Sequence, residues 1–398
     1  MNIRIQGTGC SLVDYLYNNV DFSSAEFAAL ASKQDGDGGL EPGKLVFTRE
    51  LEEFSGRKLP EIIRSITGSR PPDTTNLGGP GIVSLIHAAQ LTSGQGIEIG
   101  FTGIRGKDDT GDILRGFIDR TPVSTSDYRV KEGTTPATTV LSDPDYDNGN
   151  GERTFINTIG TAGDLLPEEM GDRFFDAHIV LFGGTALVPR IHDNLDRLLR
   201  QAKSKDTVTV VNTVYDFRNQ KKNPLGPWPL GNGKQSLPLM DLLIMDQEEA
   251  ERISGMPINE ATEYFIKNGV KTLIITRGAE NFIVYSGGSL FKEAEKQELP
   301  ISRLVTSELA RKRSRNEALG DTTGCGDNFV GGVIASMALQ LQKEKPGRLD
   351  LNEACAWGAA SGGYACFYTG GTYFESNTGE KLGKIEPFYR DYLDQISK

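Results

Sequence analysis

Short β-branched runs alternate with helix-length amphipathic patterns along most of the chain, and this alternation limits the fold more than any other feature. The runs IRIQG (3–7), IEIGFTG (97–103), HIVLFGG (178–184), TVTVVN (207–212), DLLIMD (241–246) and TLIITRG (272–278) predict strands. Several are apolar at consecutive positions, as a strand covered on both faces requires. The spacing predicts helices over 81–92, 109–120, 189–203, 247–254, 259–268, 327–342, 351–367 and 386–396. Alternation of this kind implies right-handed crossovers and a central, mostly parallel, doubly wound sheet between helices. Ligands in such α/β sheets bind beyond the C-terminal strand ends, where the glycine clusters of this chain fall.

Three segments interrupt the rhythm. Residues 21–75, with DGDGG (35–39) and SRPPD (69–73), are too long for a plain connection and read as an inserted subdomain or lid. The stretch from Phe217 to Leu237 is rich in Asn, Pro, Gly and Lys and reads as a long loop. In 303–319 the run RKRSR (311–315) reads as a solvated helix face in preference to an anion-binding patch. The expected organisation is one α/β domain over 1–398, with inserted lid material at about 12–75 and 97–160.

A net charge of −11 argues against nucleic acid or an anionic membrane as the main partner. Cys10, Cys325, Cys355 and Cys366 form no CxxC pair, and with only three histidines a zinc site is not expected. The expectation is reduced thiols in a cytoplasm. No apolar run approaches the ~20 residues that cross a bilayer. The start MNIRIQGTGCSLVDYLY reads as a strand running into a glycine turn, not as a signal peptide.

Several motifs can be eliminated. No Gly-Lys pair (43–44, 106–107, 233–234, 383–384) is followed by Ser or Thr, which excludes a Walker A loop. GTGCSL (7–12) has Leu12 where a dinucleotide fingerprint needs its third glycine. DPDYDNGNGE (143–152) imitates a calcium loop, but Asn148 and Thr154 stand at its glycine and glutamate positions, so it reads as a hairpin turn. Neither a GxSxG elbow nor an HExxH pair occurs.

The octapeptide DTTGCGDN (321–328) carries most of the functional information. Gly324, Cys325 and Gly326 precede Asp327 and an apolar helical stretch, so free backbone N–H groups and a carboxylate share one helix N-terminus. A carboxylate there would repel a permanently bound phosphate. It suits a base that takes a proton from a hydroxyl attacking a phosphoryl group in transit. An ordinary glycine-rich N-cap fits these eight residues equally well.

Six segments in order resolve that ambiguity: GTGCSLVDYLY, NLGGPGIVSLIHAAQL, IGFTGIRGKDDTGDIL, LLIMDQEEAERISG, LIITRGAENFIVYS and DTTGCGDNFVGG. Together they resemble the ribokinase-like sugar kinases of the PfkB family, over about residues 3–375. The resemblance implies a ribokinase-like fold with a small β-sheet lid, and transfer of the γ-phosphoryl of ATP to a hydroxyl of a carbohydrate. It implies that Asp327 is the general base and that the N–H groups of Gly324, Cys325, Gly326 and Asp327 form the anion hole. Asp14 would receive sugar hydroxyls, and Gly78 and Gly79 would let sugar lie against the backbone. Thr276 and Gly278 would border the ATP phosphates, with Asp246 nearby. Glu249 would order Mg2+ through water, and Asp321 would bind a monovalent cation, K+, or serve as an Asx turn. A homodimer through the lid is implied as well.

Departures from the family pattern bear on the acceptor. Val83 stands where an Asn usually bonds the sugar, which shifts the hydroxyls read. Asp246 replaces the Asn of NxxE, and Asn281 replaces the last glycine of TxGxxG, a place where φ > 0 is expected. Cys325 stands where Ala is common, and at a helix N-terminus its thiol pKa is expected to fall, making it sensitive to oxidation or alkylation. A nucleoside kinase of the same fold is the alternative, with Phe22, Phe27, Phe47 and Phe54 supplying a base pocket. A non-catalytic sugar-binding regulator is a further one.

Overall fold

A computed structural model of the chain describes residues 2–34, 36–149, 151–343 and 347–397. Asp35 of the DGDGG run and Asn150 of the hairpin-turn segment lie outside the described residues. The strands are β1 (Ile3–Gly9), β2 (Leu12–Tyr17), β3 (Leu45–Phe47), β4 (Thr74–Gly78), β5 (Ile97–Gly106), β6 (Tyr128–Lys131) and β7 (Ala137–Asp143). They continue with β8 (Glu152–Thr158), β9 (Ile179–Gly183), β10 (Val208–Asn212), β11 (Leu242–Asp246), β12 (Thr272–Thr276), β13 (Phe282–Ser286) and β14 (Ala294–Leu299).

Nine strands form a large sheet in the order β14-β13-β12-β11-β10-β9-β1-β5-β6, parallel except at β13 and β14. Residues along its strands alternate between two cores. Ile3, Ile5, Leu181, Val210 and Ile244 face one, and Val180, Phe182, Val211, Leu243 and Met245 the other. Burial on both faces explains the consecutive apolar positions read from these runs.

Five strands form a second sheet, β3-β8-β7-β2-β4. Lid strands thus come from 12–17, 45–47, 74–78, 137–143 and 152–158, while Ile97–Gly106 runs in the large sheet beside β1. The chain crosses from one sheet to the other at Cys10 and Ser11, so Asp14 lies in mid-strand on β2. The lid's outer face has its own core of Phe22, Phe27, Leu30, Leu51, Ile62 and Ile156. Phe22 and Phe27 stack at 4.3 Å within it. Burying each contributes about 1.5–3 kcal/mol to the fold, so these two rings are lid core, not the base pocket expected of them.

Helices Pro80–Leu91, Asp109–Ile118, Gln247–Ser254, Ile258–Lys267, Cys325–Leu341 and Leu351–Ala365 match the expected spans to within a few residues. The 189–203 pattern splits into Pro189–His192 and Leu195–Lys203. Asn194 causes the break: its φ of −113° leaves the helical region and its amide donates to Arg190 O at 2.9 Å. The last helix, Glu380–Ile396, starts earlier than its sequence pattern indicated, with Pro387 inside it. Residues 217–237 are less open than a loop, because helix Phe217–Lys222 forms and Trp228 and Leu230 are buried. The basic run lies on helix Arg303–Ser314, where Arg311 pairs with Glu308 and Glu317 as a solvated face does. β7 and β8 pair antiparallel, so 143–152 connects a hairpin. No helix among the described residues is long and apolar enough to cross a membrane.

Candidate active site

Helix Cys325–Leu341 is apolar on nearly every side because it is buried between helices Pro80–Leu91 and Leu351–Ala365. It starts at Gly324, whose φ of 74° and close approach to Gly371 leave no room for a side chain. The first N–H groups of a helix have no intrahelical acceptor. Asn328 closes the first rung, its N–H donating to Gly324 O at 2.8 Å, which leaves Gly326 and Asp327 N–H ahead of the ladder. A Cβ built on Gly326 would meet nothing within 4 Å, so the space before these donors is open.

A network of hydrogen bonds holds this terminus rigid. Asn328 Nδ2 donates to Gly324 O at 2.8 Å and to Gly371 O at 3.0 Å. Its Oδ1 accepts from Tyr368 Oη at 3.1 Å and from Lys381 Nζ at 2.9 Å. Asp321 Oδ1 accepts the N–H groups of Thr323 (2.9 Å) and Gly370 (3.3 Å), an Asx turn that also ties the 320–324 loop to the 366–372 loop. Lys381 is buried, and burial pushes its ammonium down to about 7. Sequence reasoning missed Lys381, since nothing in EKLGK separates it from a solvated helix lysine.

Asp327 projects from the first turn, its side chain partly open to the cleft. Surrounding protein disfavours its charge and pushes its pKa from 3.8 to about 7. Cys325 departs from expectation, its thiol being pushed up. Its Sγ lies 3.5 Å from Cys366 Sγ, within a thiol hydrogen bond, and it is partly desolvated and faces the charges of Asp321 and Asp327, which together outweigh the helix dipole.

On the lid side the strand register makes a row. Asp14 pairs with Asn76 and Thr138, Thr138 with Asn157, and Asn157 with Phe47, so all five share one face. Asn76, Asp14, Thr138 and Asn157 are each buried. The row faces the helix terminus: Asn76 Nδ2 donates to Thr369 O at 3.0 Å, and Arg153 of β8 reaches Thr323 Oγ1 at 3.5 Å. Asp14 is pushed up to about 7, first by desolvation and then by the charges of Asp321 and Asp327, with a Thr138 hydrogen bond opposing. Only the register exposes Asn76, Thr138 and Asn157 as partners of Asp14. No local motif marks them.

The glycine pair has a more specific role than a smooth floor. A Cβ on Gly78 would sit 2.1 Å from Asp14 Oδ2, so the missing side chain makes room for that carboxylate. Gly79, at φ 110°, presses against Cys10 O and caps helix Pro80–Leu91. Val83 is only 1% exposed and packs toward Gly371 from below, so it presents no surface to an acceptor. Its effect on which hydroxyls are read can only be indirect.

On the other flank, Asp246 and Glu249 form a reciprocal capping box at helix Gln247–Ser254. Glu249 Oε2 also accepts from Thr213 Oγ1. Burial, then the charge of Asp246, pushes the Glu249 carboxyl up, and Asp327 adds to the effect. Asp246 itself is open to solvent. Thr276 ends β12, and Gly278 follows in an exposed turn at φ 62°. Asn281 is not among the residues with positive φ, so its replacement of glycine costs nothing.

Asp14, Asp327 and Glu249 each have their charge disfavoured, and the charge of Asp327 contributes to the shift of the other two. Asp246 and Glu249 offer hard oxygen donors of the kind a dication takes. No group of three or more His, Cys, Asp or Glu among the described residues is close enough to hold a metal by itself.

A large, mostly parallel sheet, a polar lid sheet and a glycine-led helix terminus between them define a ribokinase-like α/β protein. The profile of the pfkB family carbohydrate kinases matches residues 72–378. The chain belongs to that family, and is accordingly a phosphotransferase. Among solved structures it is similar to a protein from E. coli described as ribokinase II, in complex with ATP and Mg2+, at 17% identity and TM-score 0.63 over 98% of this chain and 99% of that one. It is also similar to ribokinase from Thermotoga maritima, at 16% identity and TM-score 0.58 over 98% and 99%. Adenosine kinase from Schistosoma mansoni, in complex with 2-fluoroadenosine, is similar at 14% identity and TM-score 0.65 over 93% and 97%. No significant match was found among curated proteins.

Proposed function

We propose that the chain transfers the γ-phosphoryl group of ATP to a hydroxyl of a carbohydrate. The lid row supports a polyhydroxylated acceptor: four buried polar side chains, Asn76, Asp14, Thr138 and Asn157, lie side by side on one face. Asp14 accepts from acceptor hydroxyls, since a carboxylate takes two such bonds at once. Asp327 takes the proton of the attacking hydroxyl, and a pKa near neutral suits a base working at that pH. Of the N–H groups from Gly324 to Asp327, held by Asn328 and the 366–372 loop, those of Gly326 and Asp327 carry the charge of the phosphoryl in transit, since Cys325 N–H already donates to Thr322 O at 3.3 Å. Mg2+ on the nucleotide neutralises phosphate charge. Glu249 and Asp246 would hold it through water, with Thr276 and Gly278 beside the phosphates. The proposal includes K+ at Asp321, a cytoplasmic setting and a homodimer through the lid.

A nucleoside is the second reading, supported by Phe47. This ring ends the polar row and, with Asn157, lines a cavity of about 640 Å³ bordered by Thr48, Thr158 and Arg218. A coupled ADP-release assay across free sugars and nucleosides separates the two. Turnover on a free sugar supports the first, and turnover on nucleosides alone replaces it with the second. Silence on every acceptor, with ATP bound, overturns both.

A further inference from the structure

The 320–324 and 366–372 loops meet at two cysteines. Cys325 opens the helix and Cys366 caps the end of helix Leu351–Ala365, 41 residues later, with Sγ atoms 3.5 Å apart. Both are partly open to solvent, whereas Cys10 and Cys355 are buried. Their backbones are tied as well: Cys366 O accepts from Gly320 N–H at 3.1 Å, and a Cβ on Gly362 would lie 2.9 Å from Cys325 O.

We propose that Cys325 and Cys366 are an oxidisable pair, a modification site at which peroxide closes a disulfide across the two loops. In the first step the Cys366 thiolate attacks a peroxide oxygen, the O–O bond breaks, and a sulfenic acid and hydroxide result. Cys325 then attacks that sulfur, its proton leaves with the displaced hydroxyl as water, and the S–S bond forms. Overall two thiols are oxidised and one peroxide is reduced to two waters. Cys366 is the attacking member, because the hydrogen bond from Cys325 lowers its pKa, with Arg313 assisting and Asp321 opposing.

Closing the bond to ~2.05 Å requires the sulfurs to approach by about 1.5 Å. Cys325 lies in the first turn, so part of that movement displaces the N–H donors of Gly326 and Asp327. A misplacement of about 1 Å costs ~10²-fold in rate. This consequence rests on the proposed role of 324–327, whereas the cross-link does not.

The test is a non-reducing tryptic digest after hydrogen peroxide treatment. Cys325 lies in peptide 316–343, and Cys366 shares peptide 349–381 with Cys355, so fragmentation assigns the bond. The expected result is a 325–366 link, absent from Cys366→Ala, together with a ~10²-fold loss of turnover that dithiothreitol reverses and Cys366→Ala escapes. Free thiols at both positions, or linkage through Cys10 or Cys355, overturns the pair. A complete 325–366 link with undiminished turnover overturns its control of the site. A reduced protein inactive on every acceptor counts against the kinase reading instead, while the mapped link still decides the pair.

Discussion

Replacing Asp327 by Asn removes the proposed base with minimal disturbance to its surroundings. Asn is nearly isosteric, and the N–H groups of Gly326 and Asp327 belong to the backbone, so the cradle is expected to stay. Loss of general-base catalysis costs ~10²–10⁴ in rate, or about 3–5 kcal/mol of barrier. kcat should fall by that factor while KM for ATP changes by less than about threefold. The same substitution should stabilise the apo protein. The Asp327 carboxyl is raised from 3.8 to about 7, so between those values the folded state binds a proton that the unfolded state has released. Stability is therefore lost as pH rises through that window. Full exclusion of water would make the loss about 4 kcal/mol, and the open flank of the side chain reduces it to about 1–2 kcal/mol. Asn does not titrate, so at about pH 8 the variant should melt about 1–2 °C higher, a gain that fades toward about pH 4. Wild-type kcat should itself rise with pH to a plateau above about pH 7. The assays are ADP release and calorimetry across pH. Near-wild-type turnover refutes the base assignment. Loss of both turnover and melting temperature would show that the change acted on the fold.

Asp14→Asn should raise KM for the acceptor by ~10–100-fold, from the ~1.5–3 kcal/mol of a charge-assisted hydrogen bond, and leave KM for ATP unchanged. An equal rise in both constants would place Asp14 outside the acceptor subsite. Gly78→Ala puts a methyl 2.1 Å from Asp14 Oδ2 and should reproduce that acceptor-specific defect in a folded protein. An unaltered acceptor KM in that variant would mean the carboxylate lies free of the glycine.

Regular elements were legible in this chain because their periods are local. The strand runs face two cores, and the helix after Gly324 declares itself by glycines and an apolar tail. Asp327 could be placed at a helix N-terminus because the donors and the carboxylate are contiguous. Asp14 was legible as a residue, but its strand was not, since the step at Cys10 and Ser11 from one sheet to the other has no local period.

Contacts across long separations had to wait for the tertiary structure. Val83 differs from the family's Asn, yet only packing shows it turned into the core beneath Gly371. Cys325 was expected to ionise easily, and Cys366, brought beside it by helix packing, reverses that. The Phe22 and Phe27 rings were available for a ligand until the lid helices claimed them. Chain order thus settles the fold class, the family and the helix that bears Asp327, because those depend on neighbouring residues. Which carboxylates feel one another's charge, which polar side chains line the lid row and which thiols touch depend on sheet register and helix packing, and these bring together groups that the chain keeps tens to hundreds of residues apart.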